Sequence, residues 1–476
     1  MPLILPGNVG SATAATGYNV ANSVRFDGTS SYMSFAPGSN MNLDRWTWSC
    51  WVKRSKLGAV QTIFNCDNAA SDLTELQFDA NDKLHFDNRV TGGSKGKRVT
   101  TRVFRDISAW MHIMVVWDSG NSTANDRIKI YVNGVQETAF DTTDNPDQNT
   151  DSSFGESGQP IRIGVLDESS EFFSGYICEA VVLDGTAAAV TDFGEFNSDS
   201  PTIWQPIDVS GLTFGSQGFY LDFEDSGDLG DDESGNGNDF TETNLAATDQ
   251  TTDTCTNNFC TWNSLDTFYS GNTYQEGNTQ GTKPNNAVES FGTSTFGISS
   301  GKWYVEFKVI SFSGSNSTIG FGLIDRPSVR NDMEIGKYTY GITYKNNGGI
   351  YANDGGTHST DTGVTYGAGD IVGLYIDLDN LEFYFAKNGT LLNSGTGFAI
   401  QPLSSTINGV YFFGFDNFAN GGSVHQANWG NPAFAISSGN QDDNGYGNFE
   451  YSPNITGDGV AKKFYALCTK NLAEFG

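Results

Sequence analysis

Residues 369–392, GDIVGLYIDLDNLEFYFAKNGTLL, decide how this chain folds. Apolar and polar residues alternate from Ile371 to Ile376 and again through Leu381, Phe383 and Phe385, which is the two-residue period of a strand with distinct faces. Asp379-Asn380 makes a tight acidic turn between the two runs. Asn388-Gly389 makes a second, because Asn and Gly tolerate the positive φ of short hairpin turns. Upstream, GKWYVEFKV at 301–309 and IGFGLI at 319–324 add two strands of the same period.

Read in order, GKWYVEF, then G-D-I-V-G-x-x-x-D-x-D, then F-Y-F-A-K-N-G resemble a SPRY domain over residues 301–432. The resemblance implies a bent antiparallel β-sandwich that binds partners through loops at one end and carries no chemistry of its own.

Working outward, the first half has the same character. SVRFDGTSSYMSF at 23–35 reads as strand, Asp-Gly turn, strand, and WTWSCWVKR at 46–54 is a strand with aromatic residues on both faces. WMHIMVVWD at 110–118, RIKIYVNGV at 127–135 and SGYICEAVVLDG at 174–185 follow. This succession resembles a laminin-G-like or concanavalin A-like jelly roll over residues 23–186. The fold class expected is therefore all-β: two tandem antiparallel β-sandwiches, a concanavalin A-like jelly roll and then a SPRY-like sandwich. Residues 1–22 read as an N-terminal anchoring arm, 187–300 as an acidic Gly/Asn-rich connecting region with short strands, and 433–476 as a C-terminal extension.

Composition narrows the partners. The 476 residues suffice for about three domains of ordinary size. Lys+Arg 26 against Asp+Glu 56 gives a net charge of -30, which repels phosphate backbones and anionic bilayers, so neither nucleic acid binding nor membrane insertion is expected. MPLILPGNVG has no basic flank and its apolar run is cut by prolines, so no signal peptide or transmembrane segment is expected. Six cysteines are sparse for a disulfide framework and point to synthesis in a reducing cytoplasm. Cys50 and Cys178 lie in strand patterns as small buried side chains. Cys255 and Cys260 have no second Cys or His pair nearby and make no zinc site.

Catalytic signatures are missing. A glycosidase on a concanavalin-type sandwich needs two carboxylates across the sugar, commonly from Glu-x-Asp-x-Glu on one strand, and no such triplet occurs. The nearest patterns are Asp222 with Glu224, a binding rim or a solvent face, and Asp377 with Asp379, a solvated hairpin rim. His85, His112, His358 and His425 lack ligand-pair spacing, and His112 in its strand reads as a hydrogen-bonded structural histidine. No cofactor is required. Calcium is the one candidate, at Asp228, Asp231 and Asp232 in the Gly-rich stretch 225–239, with a solvated acidic loop as the competing reading. Candidate ligand-binding residues are Tyr344, Asn346, Asn347, Tyr351, Asp354 and His358, since rings beside amides and carboxylates on Gly/Asn-rich turns suit sugars or peptides. Tyr338, Tyr340, Ile342 and Tyr344 also keep a two-residue period, so that stripe equally fits a core.

GFYLDFEDSGDLGDDESGNGNDF at 218–240, FGEFNSDSPTIWQP before it and the terminal FYALCTKNLAEFG are similar to segments of structural proteins of tailed bacteriophages. That resemblance implies a non-enzymatic virion protein, a tail fibre or similar appendage, displaying adhesive loops to a host-cell surface glycan or protein. It implies other virion proteins as partners, and a homo-oligomer with a trimer favoured. A capsid decoration or head-fibre protein is the alternative, and a polysaccharide-degrading tail enzyme the second.

Overall fold

The hairpin at 371–387 forms as its alternation requires. Strand Ile371–Asp377 pairs antiparallel with Glu382–Lys387, from Val372 opposite Lys387 to Asp377 opposite Glu382. Val372, Leu374, Ile376, Phe383 and Phe385 enter a hydrophobic core on one face. Tyr375 and Tyr384 are buried on the other, against Phe449 and Phe464 from the 433–476 extension. Asn388 (φ 47°) and Gly389 (φ 77°) are both left-handed, the two-residue hairpin turn whose twist matches its strands. In the first turn the left-handed residue is Leu381 (φ 59°). Asp377 is not a solvated rim there. It is fully buried, accepts Asn380 N (3.0 Å) and Nδ2 (2.8 Å), and pairs with Lys302 at 3.0 Å. Against the cost of burial, these contacts hold its carboxyl below the usual range.

This computed structural model describes residues 17–67, 72–266, 271–286, 288–313, 319–328, 334–353, 357–417 and 421–476, the side chains of 353 and 357–359 excepted, and all counts refer to these. The chain divides after Thr256 into two units, each an antiparallel β-sandwich.

In the second unit a nine-stranded sheet runs Thr273–Gln275, Gln280–Asn286, Gly421–Asn428, Lys302–Ser313, Ile371–Asp377, Glu382–Lys387, Thr390–Leu391, with Phe398–Ala399 and Tyr465–Ala466 added at its sides. Tyr465–Ala466 joins Lys302–Ser313 in parallel, a local exception to the antiparallel pattern. A six-stranded sheet of Ser290–Thr293, Phe412–Asn417, Ile319–Ile324, Ile342–Lys345, Gly349–Asn353 and Thr357–Asp361 packs against it. Trp262, Phe307, Phe321, Phe415 and Trp429 fill the space between the sheets. A helix, Thr469–Phe475, ends the chain, and no helix among the described residues is long and apolar enough to cross a membrane.

In the first unit two eight-stranded sheets enclose Trp46, Trp48, Phe64, Phe86 and Trp117, with Trp46 stacked on Trp117 at 6.4 Å. Trp51, on the opposite face of the same strand, packs with Val20, Cys178 and Trp204. The expected connecting region, 187–300, is divided between the two sandwiches. Phe219–Leu221, Thr241–Thr243 and Gln250–Thr251 pair with strands of the first, and Gln280–Asn286 and Ser290–Thr293 with strands of the second. Shortness conceals Thr241–Thr243, Gln250–Thr251 and Ser290–Thr293 in the sequence, because two to four residues show no measurable period. Part of the expected arm also joins the first sandwich: Val20 is buried and its N–H donates to Thr256 Oγ1 at 3.2 Å.

Candidate functional site

The candidate ligand surface lies where strands Ile342–Lys345, Gly349–Asn353 and Thr357–Asp361 form the free edge of the six-stranded sheet. The turn between the first two holds Asn346 and Asn347. Asn347 is exposed, its Oδ1 accepts Gly349 N (3.0 Å) and its Nδ2 donates to the Tyr351 hydroxyl (3.3 Å). Tyr351 is half-buried, and its ring sits 5.2 Å from Lys345 Nζ, which pairs with Glu334. Asn346 N donates to Ile319 O, anchoring the turn to the neighbouring strand.

Tyr344 does not belong to that surface. It is fully buried, donates its hydroxyl to Val364 O (2.5 Å) and packs on Tyr366 and Phe385, so the two-residue stripe resolves as core at this position. Tyr338 is likewise buried, and Tyr340 packs partly against the core with φ 70°. Asp354 lies outside the described residues. The backbone of His358 pairs with Ala352 in the edge hairpin, and its side chain is outside the description. The structure thus brings Asn346 and Asn347 into one turn, with Tyr351 beside it on the following strand.

Beside that turn runs a groove of about 710 Å³ that the sequence reading missed. Thr360, Asp361 and Thr362 line one wall, and Lys387, Thr390 and Asn393 the other. Thr362 ties the first wall to the turn, its N and Oγ1 both donating to Gly348 O at 3.0 and 2.7 Å. Lys387 is fixed by Thr365 O (2.8 Å) and Asp370 (3.1 Å). Asn393 and Ser394 have φ of 51° and 54°, a left-handed pair at the rim where non-glycine residues are uncommon. Hydroxyl, carboxylate, ammonium and amide groups on two rigid sheets offer the mixed donors and acceptors that polyhydroxylated or peptide ligands need. The signal for this groove was the Thr-rich run after the edge hairpin, but its second wall comes from residues roughly thirty positions later.

The expected calcium residues do not form one site. Asp232 is buried and accepts hydrogen bonds from Tyr220 N (2.9 Å), Ser234 N (3.0 Å), Ser234 Oγ (2.8 Å) and Asn238 N (2.9 Å), so donors occupy its oxygens and it staples the loop. Asp228 is exposed and Asp231 half-buried. Among the described residues, the one set of three His, Cys, Asp or Glu side chains with donor atoms within 4.8 Å of one another is Glu75, His85 and Asp87. Asp222 and Glu224 do not share a strand face: the strand ends at Leu221, and Phe223 between them is left-handed (φ 63°). His112 is fully buried and bonded to Ser49 Oγ through Nε2 at 2.7 Å. Burial pushes its pKa down to about 3. Cys50 and Cys178 are buried.

Among solved structures, the heptameric SAP-like pentraxin of Limulus polyphemus matches 36% of this chain and 78% of its own, at 16% identity and a TM-score of 0.28. The SPRY domain of human HERC1 matches 31% of this chain and 87% of its own, at 16% identity and a TM-score of 0.25. A putative carbohydrate binding protein of Bacteroides ovatus matches 49% of this chain and 62% of its own, at 13% identity and a TM-score of 0.32. Residues 27–189, the greater part of the first sandwich, match the family model described as the Concanavalin A-like lectin/glucanases superfamily.

Proposed function

We propose that this chain is a non-enzymatic adhesion protein that recognises a surface glycan or protein through the edge turn and groove of its second sandwich. The observation that carries the reading is the groove itself: hydroxyls, an amide, one carboxylate and one ammonium, interspersed with the aliphatic Val364, Leu391 and Leu392, beside Asn347 and Tyr351. Lectins are among the proteins named in the family description that matches the first sandwich, and this supports the same class of ligand. The phage-like segments at 218–240 and at the chain end support a finer reading, a tail-fibre-type virion protein working as a homo-oligomer, trimeric by the same resemblance. Its contacts would be weak singly and firm when many copies engage together.

The test is binding of the purified chain to host-surface polysaccharide, followed by biolayer interferometry. Asp361→Asn, which keeps the bond to Gly363 N, and Thr390→Ala are expected to weaken binding about tenfold each without changing the fold. Unchanged binding in both variants would remove the groove from the account, and release of new reducing ends would replace adhesion by hydrolysis. Antibody labelling of intact particles separates the virion roles, since label on tail appendages supports the fibre reading and label over the head favours decoration.

A further inference from the structure

The face of the first sandwich turned away from its core carries a polar cluster that the adhesion reading does not use. Strands Gln61–Asp67, Leu73–Phe78 and Lys83–Val90 lie side by side, with Asn65 opposite Glu75, Glu75 opposite Asp87 and Gln77 opposite His85. Their alternate neighbours Phe64, Leu76 and Phe86 enter the core, so these five polar residues share the other face. Asn65 is fully buried, and neither its Oδ1 nor its Nδ2 has a hydrogen-bond partner. Gln77 Oε1 and His85 Nε2 are buried without a partner too. A buried polar atom without a partner is costly, and these atoms belong to residues that share their face with two carboxylates that are themselves nearly buried, Glu75 and Asp87.

We propose that Glu75, His85 and Asp87, completed by Asn65, bind one divalent first-row transition ion, zinc or manganese. The donor set is two carboxylates, one imidazole nitrogen and one amide oxygen. The imidazole separates it from the all-oxygen cages that calcium selects. His85 Nε2 lies 4.0 Å from Asp87 Oδ2, and the three donor atoms lie within 4.8 Å of one another, so that small side-chain rotations would close them on one ion. Gln77 Nε2 sits 3.0 Å from His85 Nδ1 and 3.3 Å from Glu75 Oε1. Turned about its last bond, the same amide accepts Nδ1–H and frees the Nε2 lone pair for the ion, as outer partners of metal-bound histidines do. That orientation sets an amide oxygen against Glu75, which is favourable when a cation, or a proton, holds the carboxylate.

In the ion's place, Arg89 Nε (2.9 Å) and Lys97 Nζ (3.2 Å) neutralise Asp87. Their side chains are 42% and 27% exposed, so both can withdraw into water when a metal enters. Competition between these cations and the ion gives the proposal its sharpest consequence. Arg89→Ala should tighten metal binding, whereas in a purely structural ion-pair network it would only loosen the fold.

The test is calorimetric titration of the chelator-dialysed full chain with zinc, manganese and calcium chlorides. Expected are one equivalent of zinc or manganese per chain, binding weaker by about tenfold or more in His85→Ala and Asp87→Asn, and several-fold tighter binding in Arg89→Ala. A second readout needs no variant: manganese should broaden the ring resonances of one of the four histidines. Absence of saturable zinc or manganese binding, affinity indifferent to His85, or broadening of no histidine overturns the proposal. The Asp361→Asn groove variant should keep full metal affinity, so failure of the adhesion reading and failure of this site are told apart.

Discussion

Glu179 is a carboxyl held far from its ordinary chemistry. It sits at a bulge in strand Ser174–Asp184, where the register to Arg45–Arg54 slips between Cys178 and Val181, with a left-handed φ of 52°. Its carboxyl accepts the hydroxyls of Tyr220 (3.0 Å) and Tyr18 (3.3 Å). Burial pushes its pKa from 4.5 up to about 8, more than those bonds lower it. The folded chain therefore holds a proton here that the unfolded chain releases. This contribution to stability is whole below about pH 4.5 and is lost as pH rises through about 8. Glu306 and Asp266, pushed up by burial to about 7 and about 6, act with the same sign. Asp370 and Asp377 are held low and act oppositely, losing their contribution as pH falls through their depressed values. Stability should thus peak near pH 5 and decline toward pH 8.5. Glu179→Gln should gain on the order of 2 kcal/mol over wild type at pH 8.5 and little at pH 5.5. Thermal melts at the two pH values check it, and a wild-type melting point that does not fall with pH would contradict it.

Elements long enough to show a period were legible in the sequence, and those that are not were lost. Ile371–Asp377, Glu382–Lys387 and Met111–Asp118 announce themselves by alternation or by an apolar run, and Asn388-Gly389 by turn chemistry. Gln250–Thr251 has two residues and no pattern, yet it closes a sheet edge against Ser23–Asp27. The segment that follows it is fixed by a buried ion pair, Lys53 Nζ to Asp253 Oδ2 at 2.8 Å, with Trp110 Nε1 donating to Asp253 Oδ1 at 3.0 Å. Removing the carboxylate takes the ion pair from a buried ammonium, so Asp253→Ala should cost about 3–5 kcal/mol. Lys53→Met combined with Asp253→Leu should recover most of that loss. The same contacts set the true extent of the first sandwich. A fragment of residues 17–256 should unfold cooperatively, and one of residues 17–189 should not, because it lacks Phe219–Leu221, Thr241–Thr243 and Gln250–Thr251. Calorimetry on the two fragments decides, and a cooperative transition in the shorter one would make those strands dispensable.

For the molecule as a whole, what linear order conceals is which residues meet. Asn347 and Tyr351 were legible together because they are four positions apart, whereas the side of Tyr344 stayed open between ligand surface and core because period alone does not say which face is the core. Glu75 and Asp87 are twelve apart and meet through the register of the hairpin, to which the Asp79 cap contributes by accepting Asn81 N (2.8 Å) and Lys83 N (2.9 Å). Net charge is the one whole-molecule property the sequence states outright, and it constrains adhesion. At -30 the chain is repelled by an anionic cell surface, so under the proposed adhesion the attraction would come from short-range hydrogen bonding in the groove. Salt screens the repulsion over about 8 Å at physiological strength and leaves close contacts nearly untouched, so adhesion to anionic host surfaces should strengthen between about 20 and about 300 mM NaCl. A cationic binder would do the reverse. Presenting many copies on one bead should raise apparent affinity by about 10²–10⁴ over the single chain while leaving the sign of the salt effect unchanged. Interferometry with single and bead-bound chain measures both, and adhesion that weakens with salt would mean that charge, rather than the groove, holds the protein to its target.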